Sequence, residues 1–326
     1  MHPAFSVIFL TTLIGAAQGL FLALVTGQVY SLAKLLEAQD NLRFYALGSA
    51  LALVLLVAGL IASFFHLGHP ERAWRSAAQW RTSWLSREVI ALPLFMLLVA
   101  LYGLIHYEGW TQPLFSIRGV VDVDASLIVG VVGALVAFLL YVCTAMIYAS
   151  LRFLQEWHSP LTVLNFVFFG LASGFTLAAA FTAWIGVHLV GFYGAWAVVF
   201  TLLAVFTRLA SLYRNARIKQ KSSLQTAIGV RHTTVRQKAQ GFIGGSFNTR
   251  EFFHGRGESA LKWIRRGFLL LVFVAPVALL GVAWYLHSAW LPLLAFVSQY
   301  LGLLLERYYF FTEARHPQNL YYQSMY

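Results

Sequence analysis

From Leu161 to Thr207, and again from Gly267 to Phe311, the sequence is almost free of charge for about twice the length one helix needs to cross a bilayer. A hydrocarbon core about 30 Å thick takes ~20 residues of α-helix. Each block therefore holds two spans folded back on one another, with breaks near Trp184-Ile185-Gly186 and His287-Ser288. The same rule applied along the chain predicts an all-α integral membrane protein, a bundle of eight transmembrane helices. They fall at about Phe5–Tyr30, Phe44–Phe65, Val89–Tyr107, Ser126–Leu151, Leu161–Thr182, Gly186–Thr207, Gly267–Leu286 and Ser288–Phe311. Residues 1–326 read as a single polytopic membrane domain.

Composition agrees: 60% of residues are hydrophobic, mean hydropathy is +0.71, and 11% are charged, against roughly 25% in a soluble domain. The N-terminal run MHPAFSVIFL lacks the basic start of a signal peptide and stays apolar to about Tyr30, so it reads as the first span. Cys143 is the only cysteine, which excludes an internal disulfide, a Cys₄ zinc site and an iron–sulfur cluster carried by this chain.

Charge placement predicts an orientation. With eight spans, both termini and the loops after spans 2, 4 and 6 share one side. That side carries all of the 23 Lys and Arg except Lys34, Arg43 and Arg118, and basic loops stay in the cytoplasm. The largest cluster lies in one long basic loop, about 208–266. It reads as an anchor on anionic lipid or, given Phe242, Phe247, Phe252 and Phe253, as a protein-docking surface. The net charge of +11 thus has a topological explanation, and no nucleic-acid module fits.

The polar chemistry concentrates in FFHLGHPERAWRSAAQWRTSWLSREV, Phe64 to Val89. His66 closes span 2, and Gly68 and Pro70 end the helix. Ser83 or Ser86 caps the next helix and places Glu88 in its first turn, where an acid favours the dipole. A titratable His and Glu at one membrane depth suit proton exchange. Taken singly, each residue reads as an ordinary interfacial anchor or helix-end group. His66 and His69 are misaligned by Gly68 and Pro70, so no metal site is predicted. His106 and His188 lie toward the far side, the one place where a haem could find two histidines; none is expected.

The pattern HLGxPxRAW (His66, Leu67, Gly68, Pro70, Arg72, Ala73, Trp74), then Ser83, Leu85, Ser86 and Glu88, resembles the membrane-anchor subunits of the dimethyl sulfoxide reductase family. EWHSPLTVLNF, Glu156 to Phe166, is a second match. The stretches MHPAFSVIFLTTLIGAAQGLFLAL, LQTAIGVRH, KAQGFIGGSFNTREFFHG and ERYYFFTEARHPQNLYYQ look like the anchors of cytoplasmic, quinone-linked sulfite dehydrogenases. That resemblance implies an inner-membrane protein of bacteria, an iron–sulfur subunit and a molybdopterin catalytic subunit docked on the cytoplasmic side, and a quinone (ubiquinone or menaquinone) reduced in this chain. Its quinone-site candidates are His66 and Glu88, with Gly68 and Ser86; Arg72 and Arg81 are added by position, to polarise the quinone or pair with Glu88. Glu306 and Arg307 near the same boundary read equally as functional groups or as a structural ion pair. Trp157 is a family position whose main role would be to shape the entry to span 5. Two other readings stand beside this one. An anchor oxidising quinol for a sulfoxide or other reductase would use the same pocket. A transporter or channel is disfavoured, because polar residues gather at one face and are sparse in mid-span.

Overall fold

The computed structural model describes residues 1–117, 121–236, 238 and 251–321. Its helices are α1 (Phe5–Leu32), α2 (Leu47–Phe64, entered through a π-helical turn Asn41–Ala46), α3 (Trp84–Tyr107), α4 (Ala125–Ala149), α5 (Pro160–Ile185), α6 (Val190–Ala216) and short α7 (Leu224–Ile228). Then α8 (Glu258–Leu269) runs through a π-helical turn, Leu270–Val274, into α9 (Ala275–Leu286), and α10 (Trp290–Glu313) follows. A 3₁₀ helix, Pro70–Gln79, joins α2 to α3. A two-stranded antiparallel ribbon, β1 (Phe115–Ile117) with β2 (Val121–Val123), precedes α4.

Among the described residues, seven helical stretches are long and apolar enough to cross a membrane, with α8 and α9 counted as one. Of the eight expected, the last is the exception. Helix α10 has 24 residues, but Gln299, Glu306 and Arg307 dilute its apolar character. Both expected hairpin breaks occur. Gly186 adopts the left-handed conformation (φ 75°) and returns its N–H to the Thr182 carbonyl to end α5, and His287 (φ 50°) ends α9. The expected loop 208–266 is shorter than its charge suggested: α6 continues to Ala216 and α8 begins at Glu258. Arg208 is therefore a helix residue, not a loop residue. Phe242 and Phe247 lie outside the described residues.

Helices α1 and α5 form the centre of the bundle. Both carry small residues one turn apart, Gly15 and Gly19 on α1 and Gly170 and Gly174 on α5. A methyl group on Gly174 would sit 2.2 Å from the Gly19 Cα, and one on Gly19 would sit 2.2 Å from the Gly170 carbonyl oxygen. Glycine at these places lets two backbones touch, the device that packs helices where lipid removes the hydrophobic drive for association. Around them Leu20, Phe21, Leu24, Phe95 and Tyr102 are fully buried, with the Phe21 ring edge-on to Phe95 at 5.4 Å and to Tyr102 at 5.3 Å. Outward faces are apolar too (Val54, Leu97, Leu135, Phe206), as a lipid-facing surface requires.

Contacts fix which ends lie together. The N-terminal part of α1 meets α10 through Thr12 and Tyr300, the start of α3 meets the end of α4 through Glu88 and Thr144, and the end of α6 meets that of α10 through Arg208 and Glu313. This is called the basic end below.

Candidate functional site

At the basic end, His66 follows α2 directly, its N–H donating to the Ser63 carbonyl at 3.3 Å. The ring is exposed, yet partial desolvation at the bundle end holds its proton affinity below the usual histidine value. In its neutral form an imidazole can donate from one nitrogen and accept at the other. A side chain begun at Gly68 would meet nothing within 4 Å of its first carbon. The 3₁₀ helix behind it has no buried residue. Arg72 lies 3.7 Å from Glu71, and His69 Nδ1 lies 3.0 Å from the same carboxylate. Arg81 rests against the Trp80 ring. Neither arginine pairs with Glu88, as the sequence had suggested they could; each is taken up by its immediate neighbour.

Ser83 caps α3, its Oγ accepting from the Ser86 N–H at 3.4 Å. Trp84 is the first helical residue, so Glu88 falls in the second turn and not the first. That one-turn difference moves the carboxyl group from the interface into the bundle. Glu88 is 9% exposed and Ser86 3% exposed. The Thr144 hydroxyl donates to Glu88 Oε1 at 2.5 Å. Glu88 lines a narrow cavity between α1, α4, α5 and α10, together with Gln18, Tyr141, Ser173 and Arg307. Its free space of about 30 Å³ suits about two waters. His66 and Glu88 thus share an end of the bundle, one exposed and the other buried against a cavity whose lining does not include His66.

Across that cavity lies a cluster of charges buried inside the protein. Glu306 is fully buried, Arg208 is 1% exposed and Arg307 4%. Arg307 Nε donates to Glu306 Oε2 at 2.7 Å, Arg208 Nε lies 2.9 Å from Glu306 Oε1, and Arg208 Nη2 lies 3.6 Å from Glu313. The Arg208 contact is an ion pair by distance without hydrogen-bond alignment. The guanidinium of Arg307 lies 4.1 Å from the centre of the Phe166 ring. Two carboxylates and two guanidiniums balance, which is how such groups are tolerated away from water. Arg208, Glu313 and Thr144 were not singled out from sequence. Arg208 had a signal, as the first charge after an apolar run long enough to bury it.

Glu313 opens this cluster toward a cleft of about 910 Å³ at the basic end, lined by Arg152, Glu156, Lys221, Arg265 and Arg315 among others. Trp157 supports the α5–α10 junction: its Nε1 donates to the Phe310 carbonyl at 2.9 Å, and its ring stacks on Phe310 at 5.2 Å. Phe252, expected on a docking surface, is stacked on His316 at 3.8 Å. At the opposite end His106 packs against Tyr45 and Tyr102, its Nδ1 2.9 Å from Asn41 Oδ1. His188 is exposed between α5 and α6, so the structure gives these two histidines different surroundings and does not present them as a facing pair.

Comparison with known proteins adds two findings. The profile of the family described as DMSO reductase anchor subunit (DmsC) matches residues 1–312. A sulfite dehydrogenase subunit from Allochromatium vinosum is 63% identical over 325 residues, spanning the full length of both chains.

Proposed function

We propose a function that starts from family: this chain belongs to the DMSO reductase anchor subunits, and is a membrane anchor subunit of a molybdoenzyme complex. In our reading the complex is a sulfite dehydrogenase. That choice rests on the full-length identity to the Allochromatium vinosum sulfite dehydrogenase subunit. A molybdopterin subunit oxidises sulfite, an iron–sulfur subunit relays the electrons, and this chain passes them to quinone. The basic end is cytoplasmic, eight helices cross the inner membrane, and the partner subunits dock over the basic end. The concentration of Lys and Arg there supports this sidedness, and the cleft bordered by Arg152, Lys221, Arg265 and Arg315 offers a surface for docking.

Quinone reduction consumes two electrons and two protons. The carbonyl oxygens need hydrogen-bond donors, and protons must arrive from water without leaving a bare charge in the membrane. His66 fits the first need. It stands at the membrane boundary, and a neutral imidazole donates one N–H without adding charge. Glycine at position 68 puts no side chain in the way of a flat ring beside it, and Arg72 and Arg81 border the approach. Glu88 fits the second need. It is buried, paired with a hydroxyl, and faces a cavity that can hold water. It serves as a proton store behind the site and not as a wall of it.

The test is His66→Ala in the assembled complex, with sulfite as donor and a short-chain ubiquinone analogue as acceptor. We expect quinone reduction to fall by about a hundredfold or more, as for loss of a positioned proton donor. Sulfite oxidation with an artificial acceptor should be unaffected. Undiminished quinone turnover in that variant would remove His66 from the site.

A further inference from the structure

In the cleft of about 910 Å³ at the basic end, the carboxylates are engaged and the cations are not. Three carboxylates line it. Glu156 is buried, accepting from Gln220 Nε2 at 3.1 Å and from the Arg315 N–H at 3.4 Å. Glu313 lies 3.6 Å from Arg208 Nη2, and Glu258 lies 3.5 Å from Lys262, which is outside the cleft lining. Five cationic side chains line the same space: Arg152, Lys221, Arg256, Arg265 and Arg315. All five are exposed. Among the described residues none of them lies within ion-pair distance of a carboxylate. Arg256 Nε donates to the Tyr308 hydroxyl at 3.0 Å and Arg265 hydrogen-bonds Tyr309, both neutral partners.

The chain has no acid of its own left to answer them. Residues 118–120, 237, 239–250 and 322–326, which lie outside the described ones, contain no Asp or Glu. Complementary charge must come from elsewhere. Position favours protein over lipid as its source. Arg152, Lys221 and Arg315 stand past the helix ends at Ala149, Ala216 and Glu313, on the water side of the spans. The space is also too large for one phosphate group to fill, and Phe153, 51% exposed, adds apolar surface to its lining. Complementary charge of this kind fixes register and speeds encounter between proteins.

We propose that this cleft receives an acidic segment of the iron–sulfur subunit, with Asp or Glu side chains seated on Arg152, Lys221 and Arg315. Of the two partners, that subunit must touch this chain, because it is the one that hands over electrons. This rests on the reading that partner subunits dock over the basic end.

Lys221 offers a direct test, because its amine can be joined to a carboxylate in contact with it by a carbodiimide, which adds no spacer. The purified complex is treated, digested, and its linked peptides identified by mass spectrometry. We expect Lys221 joined to an Asp or Glu of the iron–sulfur subunit. Lys221→Arg should abolish that link, and Arg152→Lys should create a second one to the same segment. In parallel, the triple variant Arg152→Gln, Lys221→Gln, Arg315→Gln should bind the iron–sulfur subunit about tenfold more weakly, as for three solvent-accessible pairs. Retention of that subunit at rising NaCl should then depend less on salt. Links from Lys221 only to Glu156 or Glu313 of its own chain, or only to the molybdopterin subunit, would overturn the proposal. So would a copurified iron–sulfur subunit that carries no link to the cleft, or a triple variant that loses bound phospholipid and keeps its partner at every salt concentration. In those cases docking over the basic end survives. An iron–sulfur subunit that fails to copurify with the parent chain would remove the docking reading itself, and the cleft assignment with it.

Discussion

His254 and His316 act as acceptors where the basic end closes on itself. His254 Nδ1 accepts from the Arg256 N–H at 3.0 Å, and His316 Nδ1 from the Gln318 N–H at 3.2 Å. The His316 ring stacks on Phe252, whose carbonyl accepts from Asn319 Nδ2 at 3.1 Å. Desolvation first, and nearby positive charge second, hold both histidines below the ordinary value of 6.5. A base with a lowered folded value binds fewer protons folded than unfolded, so its stabilising contribution is complete above about 6.5 and is lost as pH falls below it. Acidifying from pH 7.5 to 5.5 should therefore speed amide exchange at 251–256 and 314–320, after correction for intrinsic rates. His316→Phe keeps a ring on Phe252 and should blunt that response. Equal protection at both pH values in the parent complex would contradict the assignment. Residue-level legibility was uneven for a related reason. Sequence placed His66 and Glu88 at one end, but not the side to which Glu88 turns. Glu88, Ala91, Leu92, Phe95, Val99 and Tyr102 make a buried stripe at helical spacing, yet Leu94, Leu97 and Leu101 on the lipid side are as apolar. In a membrane helix both faces read alike, and the stripe is hidden.

Helix–helix contacts follow a different rule. The crossing of α1 and α5 depends on the absence of side chains, and the paired Gly-x₃-Gly spacings (Gly15 with Gly19, Gly170 with Gly174) are legible in sequence once they are read against one another. Gly174→Ala should be among the most damaging small substitutions, because the new methyl meets backbone at 2.2 Å and neither helix can yield locally. Overpacking of this kind costs about 1–3 kcal/mol or more. The expected outcome is a lower melting temperature and less complex recovered with its partner subunits. Gly281→Ala serves as the control, since nothing lies near its Cβ direction. If the two variants melt alike, the close approach is not what holds the bundle. Span limits were less legible. The charges of Arg208, Lys262, Arg265 and Arg266 suggested loop where α6 and α8 are helical, because a buried ion pair and a helix emerging into water both carry charge without breaking hydrogen bonds.

Among the described residues the larger buried polar groups gather toward the two ends of the bundle, and between them apolar side chains dominate, with the Thr176 hydroxyl bonded back to its own helix. Toward the basic end lie Glu88, Thr144, Gln18 and the Arg208–Glu306–Arg307–Glu313 cluster. Toward the other end Tyr102 donates to Gln28, Gln28 to Ser126, and Ser126 to Asp124. Along α1 the stretch from Gln18 to Gln28 is occupied by buried Leu20, Phe21, Leu22, Leu24 and Val25. Protons cross apolar packing poorly, since an isolated charge there is severely penalised. Protons reaching a quinone near His66 and Glu88 should thus come from the basic end alone. The proposed reaction makes this measurable. In a buffer alkaline enough to keep sulfite as its dianion, oxidising it with water to sulfate releases two protons and two electrons, and reducing one quinone consumes two of each. If both happen on one side of the membrane, turnover in sealed proteoliposomes with the complex in uniform orientation should build no pH gradient. A gradient of up to two protons per sulfite, abolished by an uncoupler, would mean that protons cross the layer around Phe21 and Leu24. A flat trace would place both half-reactions at one face of the membrane, with the far-end Tyr102–Gln28–Ser126 chain left to hold helices together and not to conduct.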